Sequence, residues 1–348
     1  MSREVDIRIM GRAGRITLAR PEALNALTHG MVDAIDAALR AWAVDDRIAM
    51  VVIDAEGTRA FCAGGDIADL YASGRAGEFA HGRRFWRDEY RMNARLFDFP
   101  KPVAAFLQGF TMGGGVGVGC HGSHRIVAES AKIAMPECGI GLIPDVGGSL
   151  ILARAPGRLG EYLALTGARM GPGDAIHAGF ADYLIPEADW PALIADLQDS
   201  GDWHAIDAAA HPAPDSPLAA LGPEIDALFG GERLPDIANA LAASDSACAD
   251  AARAAMARNA PLSMACALEV IHRVRARQDI RFALDMEYRF TARAMEHGDF
   301  LEGIRAAIID KDKSPRWRHD GPRAVPMREI SAMLRPLGPE ALTWEETT

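Results

Sequence analysis

Two carboxylates, Glu137 and Asp145, stand eight residues apart in the otherwise apolar run MPECGIGLIPDVGG at 135–148. Gly139, Gly141 and Pro144 prevent a single straight helix across this run, so the chain can fold both carboxylates toward one point. Carboxylates among apolar groups have raised pKa values and suit general acid–base work. Two plainer roles compete. Asp145 could cap a helix opening at Val146-Gly147-Gly148, and Glu137 could pair with an arginine such as Arg154 or Arg158.

Two glycine-bearing segments precede the acids. TMGGGVGVG at 111–119 holds five glycines in seven positions. Each costs a helix roughly 1 kcal/mol against alanine, so something there requires close backbone approach. A helix N-terminus with bare N–H groups is a ready site for an anion or a developing oxyanion. The pattern is neither a Walker loop nor a dinucleotide fingerprint with its acidic partner. Tight packing of small residues would also explain it. FCAGGDI at 61–67 places two glycines between an apolar run and Asp66. Without a Cβ in the way, such a backbone can turn tightly and face its N–H toward a ligand, although a plain strand-to-helix turn has the same composition.

The elements that must position these residues follow from periodicity. Residues 5–10 and 15–19 alternate apolar and polar, which predicts a hairpin. Thr28 is placed to cap a helix whose apolar face is Met31, Ile35, Leu39 and Trp42. The continuous apolar runs 50–55 and 102–109 predict buried strands, residues 83–97 a helix, and HRIVAES at 124–130 a further strand. The repeated strand–loop–helix cadence implies an α/β class. Beyond the proline-rich HPAPDSP at 211–217 the character changes. Alanine-rich segments at 233–243, 247–258 and 262–277 predict helices, as does 281–310 with a break near Gly298. Two parts are expected, a core over 1–200 and a mostly helical region over 201–348, with a partly ordered tail from about 318.

The bulk numbers exclude several functions. With 49% apolar and 24% charged residues, the composition is that of a globular protein. No run approaches the roughly 18 apolar residues a membrane span needs, and the opening MSREVDIRIMGRAGRITLARP lacks the continuous apolar stretch of a secretion signal. The expected location is the cytoplasm, or an organelle matrix in a eukaryote. Lys and Arg number 37 against 48 Asp and Glu, a net charge of −11 that disfavours nucleic acid. Five cysteines without a CxxC pair point to reduced, mostly buried thiols, and the ten histidines show no metal-ligand spacing.

Taken together, the three segments resemble the crotonase (enoyl-CoA hydratase/isomerase) superfamily in order and spacing over roughly 1–190. The resemblance implies an α/β spiral of ββα units, with the helical C-terminal region packing on it. It implies that the N–H groups of Gly65 and Gly114 form an oxyanion hole for a thioester carbonyl, and that Asn25, Ala26, Leu27, Ala63, Gly65 and Asp66 bind CoA. Hydratases of this family use two glutamates. One matches Glu137, but the other would fall at Gly117, and Asp145 sits where hydratases usually carry glycine. The pattern PE-x-x-IG-L-x-PD-x-GG resembles the 3-hydroxyisobutyryl-CoA hydrolase branch. FWRDEYRMN at 85–93, where Glu89 matches a substrate-contacting glutamate, Gly119-Cys120-His121-Gly122, and EGIRAAIIDKDKSPRW at 302–317 resemble it too.

The resemblance therefore implies hydrolysis of a short branched 3-hydroxyacyl-CoA, 3-hydroxyisobutyryl-CoA or 3-hydroxypropionyl-CoA. Gly65 and Gly114 would receive the oxyanion. Glu137 would act as nucleophile or general base, Asp145 would orient it or the water or manage the proton, and Glu89 would bond the substrate hydroxyl; Gly114, Glu137 and Asp145 would bind the substrate as well. No metal or redox cofactor is implied, since CoA arrives as part of the substrate, and a homo-oligomer stays open. The rivals are enoyl-CoA hydration or isomerisation, and a non-enzymatic binding member of the fold. Cys62 and Cys138 have no base beside them, Ser149 lacks a nucleophile elbow, and His121 is read first as structural.

Overall fold

The computed structural model describes residues 4–344. They group into two compact units that interleave along the chain: the described residues within Met1–Gly65, Arg91–Ala134 and Arg169–Ala219 in one, and those within Asp66–Tyr90, Met135–Ala168 and Ala220–Thr348 in the other. The change in composition near residue 200 thus marks a change in element type and not the division into units.

The first unit carries the sheets. β1 (Val5–Met10) and β2 (Ala13–Leu18) form the predicted hairpin, in register from Val5 opposite Leu18 to Met10 opposite Ala13. β3 (Met50–Ala55) then adds in parallel, followed by β5 (Val103–Leu107), β7 (His124–Val127) and β9 (Tyr183–Leu184). Between these strands the chain makes β4 (Ala60–Cys62), β6 (Phe110–Met112) and β8 (Lys132–Ala134), a second, all-parallel sheet of three. Each circuit contributes one strand to each sheet, which is the expected spiral of ββα units. β3 and β5 are buried on both faces, and so read as unbroken apolar runs.

One face of the larger sheet is closed by the Trp190–Ser200 helix, whose Leu193, Ile194 and Leu197 pack on Met50, Val52, Ala104, Phe106 and Ile126. Trp190 meets Phe106 edge to face at 5.2 Å, and its indole N–H donates to the Ile185 carbonyl at 2.9 Å. α1 (His29–Ala43) buries Met31, Ile35, Leu39 and Trp42, and the Thr28 hydroxyl accepts from Met31 N–H as its cap.

The second unit is helical. α2 (Ile67–Arg75) and the first half of α3 (Phe79–Phe97) belong to it, as does α5 (Gly148–Arg154). α4, between α3 and α5 in sequence, is the six-residue Gly114–Gly119 of the first unit. The Pro261–Ala276 helix buries eleven of its sixteen residues. Beside it runs the Ile280–His297 helix, which ends at Gly298 where the break was expected. The buried Glu161 is held by Arg275 at 2.5 and 2.8 Å, by Arg158 at 2.9 Å and by His272 at 3.3 Å.

The tail from about 318, expected to be partly ordered, is tied to the fold over part of its described length, which ends at residue 344. Residues 327–333 form a helix, Met333, Leu334 and Leu342 are buried, and Arg293 donates to the carbonyls of Met333 and Arg335 at 2.9 and 2.7 Å. The apolar residues at 333, 334 and 342 are too sparse to show a period, so no pattern in the sequence signals this packing.

Candidate active site

Within the first unit, the loops after β4 and β6 leave adjacent parallel strands at the same end, because Cys62 stands opposite Thr111. They approach as backbone against backbone. A Cβ on Gly115 would lie 2.2 Å from the Cys62 carbonyl oxygen, so only glycine fits there. Gly113 takes φ 49° and ψ −120° to start α4, which makes Gly114 the first helical residue, with no carbonyl one turn back to receive its N–H. Gly65 makes a parallel bridge with Leu27, and Leu27 N–H donates to the Gly64 carbonyl at 2.9 Å. The residue opposite such a bridge turns its own N–H to the other side. The structure thus places Gly65 and Gly114 on segments that leave neighbouring strands at the same end.

The predicted CoA-binding residues of this unit are also brought together. Ala63 N–H donates to the Leu24 carbonyl at 3.0 Å, tying 63–65 to 24–27. Leu24 and Asn25 both sit in the left-handed region, with φ 52° and 56°. Asn25 holds that conformation with its whole side chain. Its Oδ1 accepts from Arg20 N–H at 2.8 Å, and its Nδ2 donates to the Glu56 and Ala60 carbonyls at 2.9 and 3.0 Å. The side chain is therefore spent on the loop, and Asn25 shapes the loop at 26–27 instead of offering its amide to a ligand. Ala26 is half-buried and Leu27 buried. Asp66, the first residue of the second unit, immediately precedes α2.

The acids collect within the second unit. Glu137 opens a short 3-10 turn, Glu137–Ile140, and the chain then reverses at Gly141 (φ 76°). A Cβ on Gly141 would meet the Asp299 carbonyl oxygen at 2.5 Å, and one on Gly303 the Ile140 carbonyl oxygen at 2.1 Å, so both glycines admit a close backbone crossing. The chain returns to Asp145, passes through Val146 and Gly147 in the left-handed region, and enters α5. Glu89, Tyr90, Glu137, Asp145 and Glu287 are all at most 5% exposed. Tyr90 donates its hydroxyl to Asp145 Oδ2 at 2.7 Å. Oε1 of Glu89 and Oε2 of Glu137 have no hydrogen-bond partner among the described residues.

Burial dominates the electrostatics. It pushes Asp145 up to about 7 against the Tyr90 hydrogen bond, and Glu287 up to about 8 against its own hydrogen bonds. Burial and then the Asp145 charge raise Glu137 well above the carboxylate range, and the same two causes raise Glu89. Carboxyls buried together, with the charge of Asp145 raising Glu89, Glu137 and Glu287 further, do not all ionise together, so the group can hold and pass protons near neutrality.

The plainer roles for these acids do not hold. Gly147 occupies the cap position of α5, with no side-chain cap, and the Asp145 carboxylate instead receives Tyr90. Arg158 pairs with Glu161, and Arg154 reaches Gln278. Burial raises the Cys138 thiol well above its ordinary range, as expected for an inert thiol. His121 is buried against Phe97, edge to face at 5.9 Å. Tyr90, Glu287 and Thr291 were not singled out from the sequence. The one available signal was an acid at a core position of a helix, since Glu287 shares the buried stripe of Ala283, Leu284, Phe290, Thr291 and Ala294.

The sequence pattern described as enoyl-CoA hydratase/isomerase matches residues 13–334. Among named relatives, the mitochondrial 3-hydroxyisobutyryl-CoA hydrolase of Danio rerio is 38% identical over 326 residues, covering 90% of this chain and 85% of that protein. Two solved structures superpose with TM-scores of 0.94. One, described as an enoyl-CoA hydratase from Rhodobacter sphaeroides 2.4.1, is 59% identical and covers 98% of this chain and 100% of its own. The other, described as a carnitinyl-CoA dehydratase from Mycobacterium thermoresistibile, is 40% identical and covers 99% and 100%.

Proposed function

The chain belongs to the enoyl-CoA hydratase/isomerase family, and on that premise we propose that it hydrolyses the thioester of 3-hydroxyisobutyryl-CoA or a close short 3-hydroxyacyl-CoA to the free acid and CoA. The observation that carries this reading is the buried Glu137–Asp145 couple, both members raised by burial and Glu137 raised further by the charge of Asp145. The amides of Gly65 and Gly114 receive the charge that develops on the thioester oxygen, a contribution of about 10²–10³ in rate per donor. Ionised Glu137 attacks the carbonyl carbon or takes a proton from an attacking water. With Glu137 as base, the water oxygen forms the new C–O bond, the C–S bond breaks, and the departing thiolate takes from Glu137 the proton that the water gave up. With Glu137 as nucleophile, its oxygen forms the C–O bond of an anhydride as the C–S bond breaks, the thiolate takes a proton from Asp145, and a water then opens the anhydride to the free acid, returning a proton to Asp145 and freeing Glu137. Asp145, held by Tyr90, orients Glu137 and exchanges that proton. Glu89 accepts the substrate hydroxyl, and the 25–27 and 63–66 segments carry the CoA moiety.

Enoyl-CoA hydration is the second reading, favoured by the description of the 59% identical structure. The family's hydratases use a second glutamate at the position of Gly117, and glycine brings no carboxylate to activate a water there. Thiol release from 3-hydroxyisobutyryl-CoA, run beside loss of crotonyl-CoA absorbance, separates the two. Release of thiol with steady crotonyl-CoA supports hydrolysis, and the reverse result overturns it.

A further inference from the structure

We propose that Glu287 is a positioning residue for Asp145, acting with Thr291 from one face of the Ile280–His297 helix; this rests on the reading of Asp145 as a member of the hydrolytic site. The turn that presents Asp145 is a poor one for its sequence. Val146 has φ 53°, a conformation that β-branched residues rarely adopt. Such a residue persists only where its surroundings over-determine it.

Glu287 supplies the restraint. Its carboxyl accepts from Gly147 N–H at 2.8 Å, from Ser149 N–H at 3.1 Å and from the Ser149 hydroxyl. Three donors from the two sides of Gly148 thus converge on one acid with no exposed surface. Among the described residues no Arg, Lys or His makes an ion pair with it. An acid is expensive to bury, and a helix that only needed to fill space would carry an apolar residue here. The partners of Glu287 are those of a clamp on the 145–149 backbone.

Thr291 lies one helical turn further on. Its Oγ1 is 3.4 Å from the Tyr90 hydroxyl, which donates to Asp145 Oδ2 at 2.7 Å. One helix therefore holds the backbone that carries Asp145 and lies beside the phenol that binds its carboxylate.

The test is a double-mutant cycle on the full chain, read as steady-state thiol release from 3-hydroxyisobutyryl-CoA. Glu287→Gln keeps the volume but leaves one oxygen for donors on two sides, so the turn loosens. The expected kcat falls about 10–100-fold with KM within about 3-fold, because geometry is lost and not ground-state binding. In the Asp145→Asn background the same change costs less than about 3-fold, since it acts through Asp145. Equal losses in both backgrounds, or a wild-type kcat for Glu287→Gln, overturn the proposal. Should Glu287→Gln fail to fold, Thr291→Val carries the cycle. It is expected to lower kcat about 3–10-fold, and only while Asp145 is present; an unchanged kcat overturns the proposal. A wild-type protein that releases no thiol defeats the hydrolase reading and this proposal with it. An active wild type with an indifferent Glu287→Gln defeats this proposal alone.

Discussion

Replacing Asp145 by Asn should lower kcat to a small, still measurable residue and, at alkaline pH, make the protein more stable. Burial raises this carboxyl from 3.8 to about 7. Between those values the unfolded chain has given up its proton while the native chain keeps it, so stability falls as pH rises. The loss is complete above the native pKa. A displacement of about three units at about 1.4 kcal/mol each is on the order of 4 kcal/mol at pH 8. At pH 5, only about one unit above the unfolded value, it is about 2 kcal/mol. Asparagine cannot ionise and escapes this cost. Urea unfolding followed by tryptophan fluorescence at pH 5, 6, 7 and 8 measures the difference between the Asp145→Asn variant and wild type. That difference should grow in favour of the variant by about 2 kcal/mol across the range. The pH slope is the reading to trust, because a constant cost from the new amide leaves it unchanged. A difference that is flat, or that shrinks with pH, would refute the view of Asp145 as an acid held up by burial.

Three further outcomes follow from the same contacts. Tyr90→Phe removes a hydrogen bond that favours ionised Asp145, worth about 1.5–3 kcal/mol or about 1–2 pH units; the acid limb of the kcat–pH profile should move to higher pH by that amount. Gly115→Ala drives a Cβ to 2.2 Å from the Cys62 carbonyl oxygen, so a loss of about 1–3 kcal/mol in thermal unfolding is expected, together with a lower kcat from displacement of the neighbouring Gly114 amide. Glu161→Gln leaves Arg275 and Arg158 without their buried carboxylate, which should cost about 3–5 kcal/mol at pH 7. Burial alone would raise Glu161, but hydrogen bonds from Arg275, His272 and Arg158 hold it below the usual carboxylate range. The wild type's advantage is therefore full above about 4.5 and fades as pH falls further, and thermal melts at pH 7 and pH 3 should show it.

The parts of the site written in local sequence were legible. Gly139, Gly141 and Pro144 rule out a straight helix between Glu137 and Asp145, and the fold reverses the chain there. The glycine-rich run at 113–119 demanded close backbone approach, and Gly115 against Cys62 supplies it. The apolar runs at 50–55 and 102–109 became strands buried on both faces. What stayed hidden depends on distant pairings. Glu287 meets Gly147 across 140 positions, and Tyr90 meets Asp145 across 55. No local pattern announces either contact. Asn25 shows the opposite limit: likeness to a family marks it for a ligand, while its side chain is fully engaged in holding the loop. Composition located the change from strand to helix near residue 200, but the compact units are built from interleaved segments that only tertiary contacts define.

The central claim, that a buried glutamate attacks or activates water on a CoA thioester, is tested most directly by thiol release from 3-hydroxyisobutyryl-CoA with Glu137→Gln beside the wild type. The account predicts steady turnover by the wild type and a kcat lower by at least about 10²-fold in the variant, with KM little changed. Equal kcat values for the two proteins would contradict it.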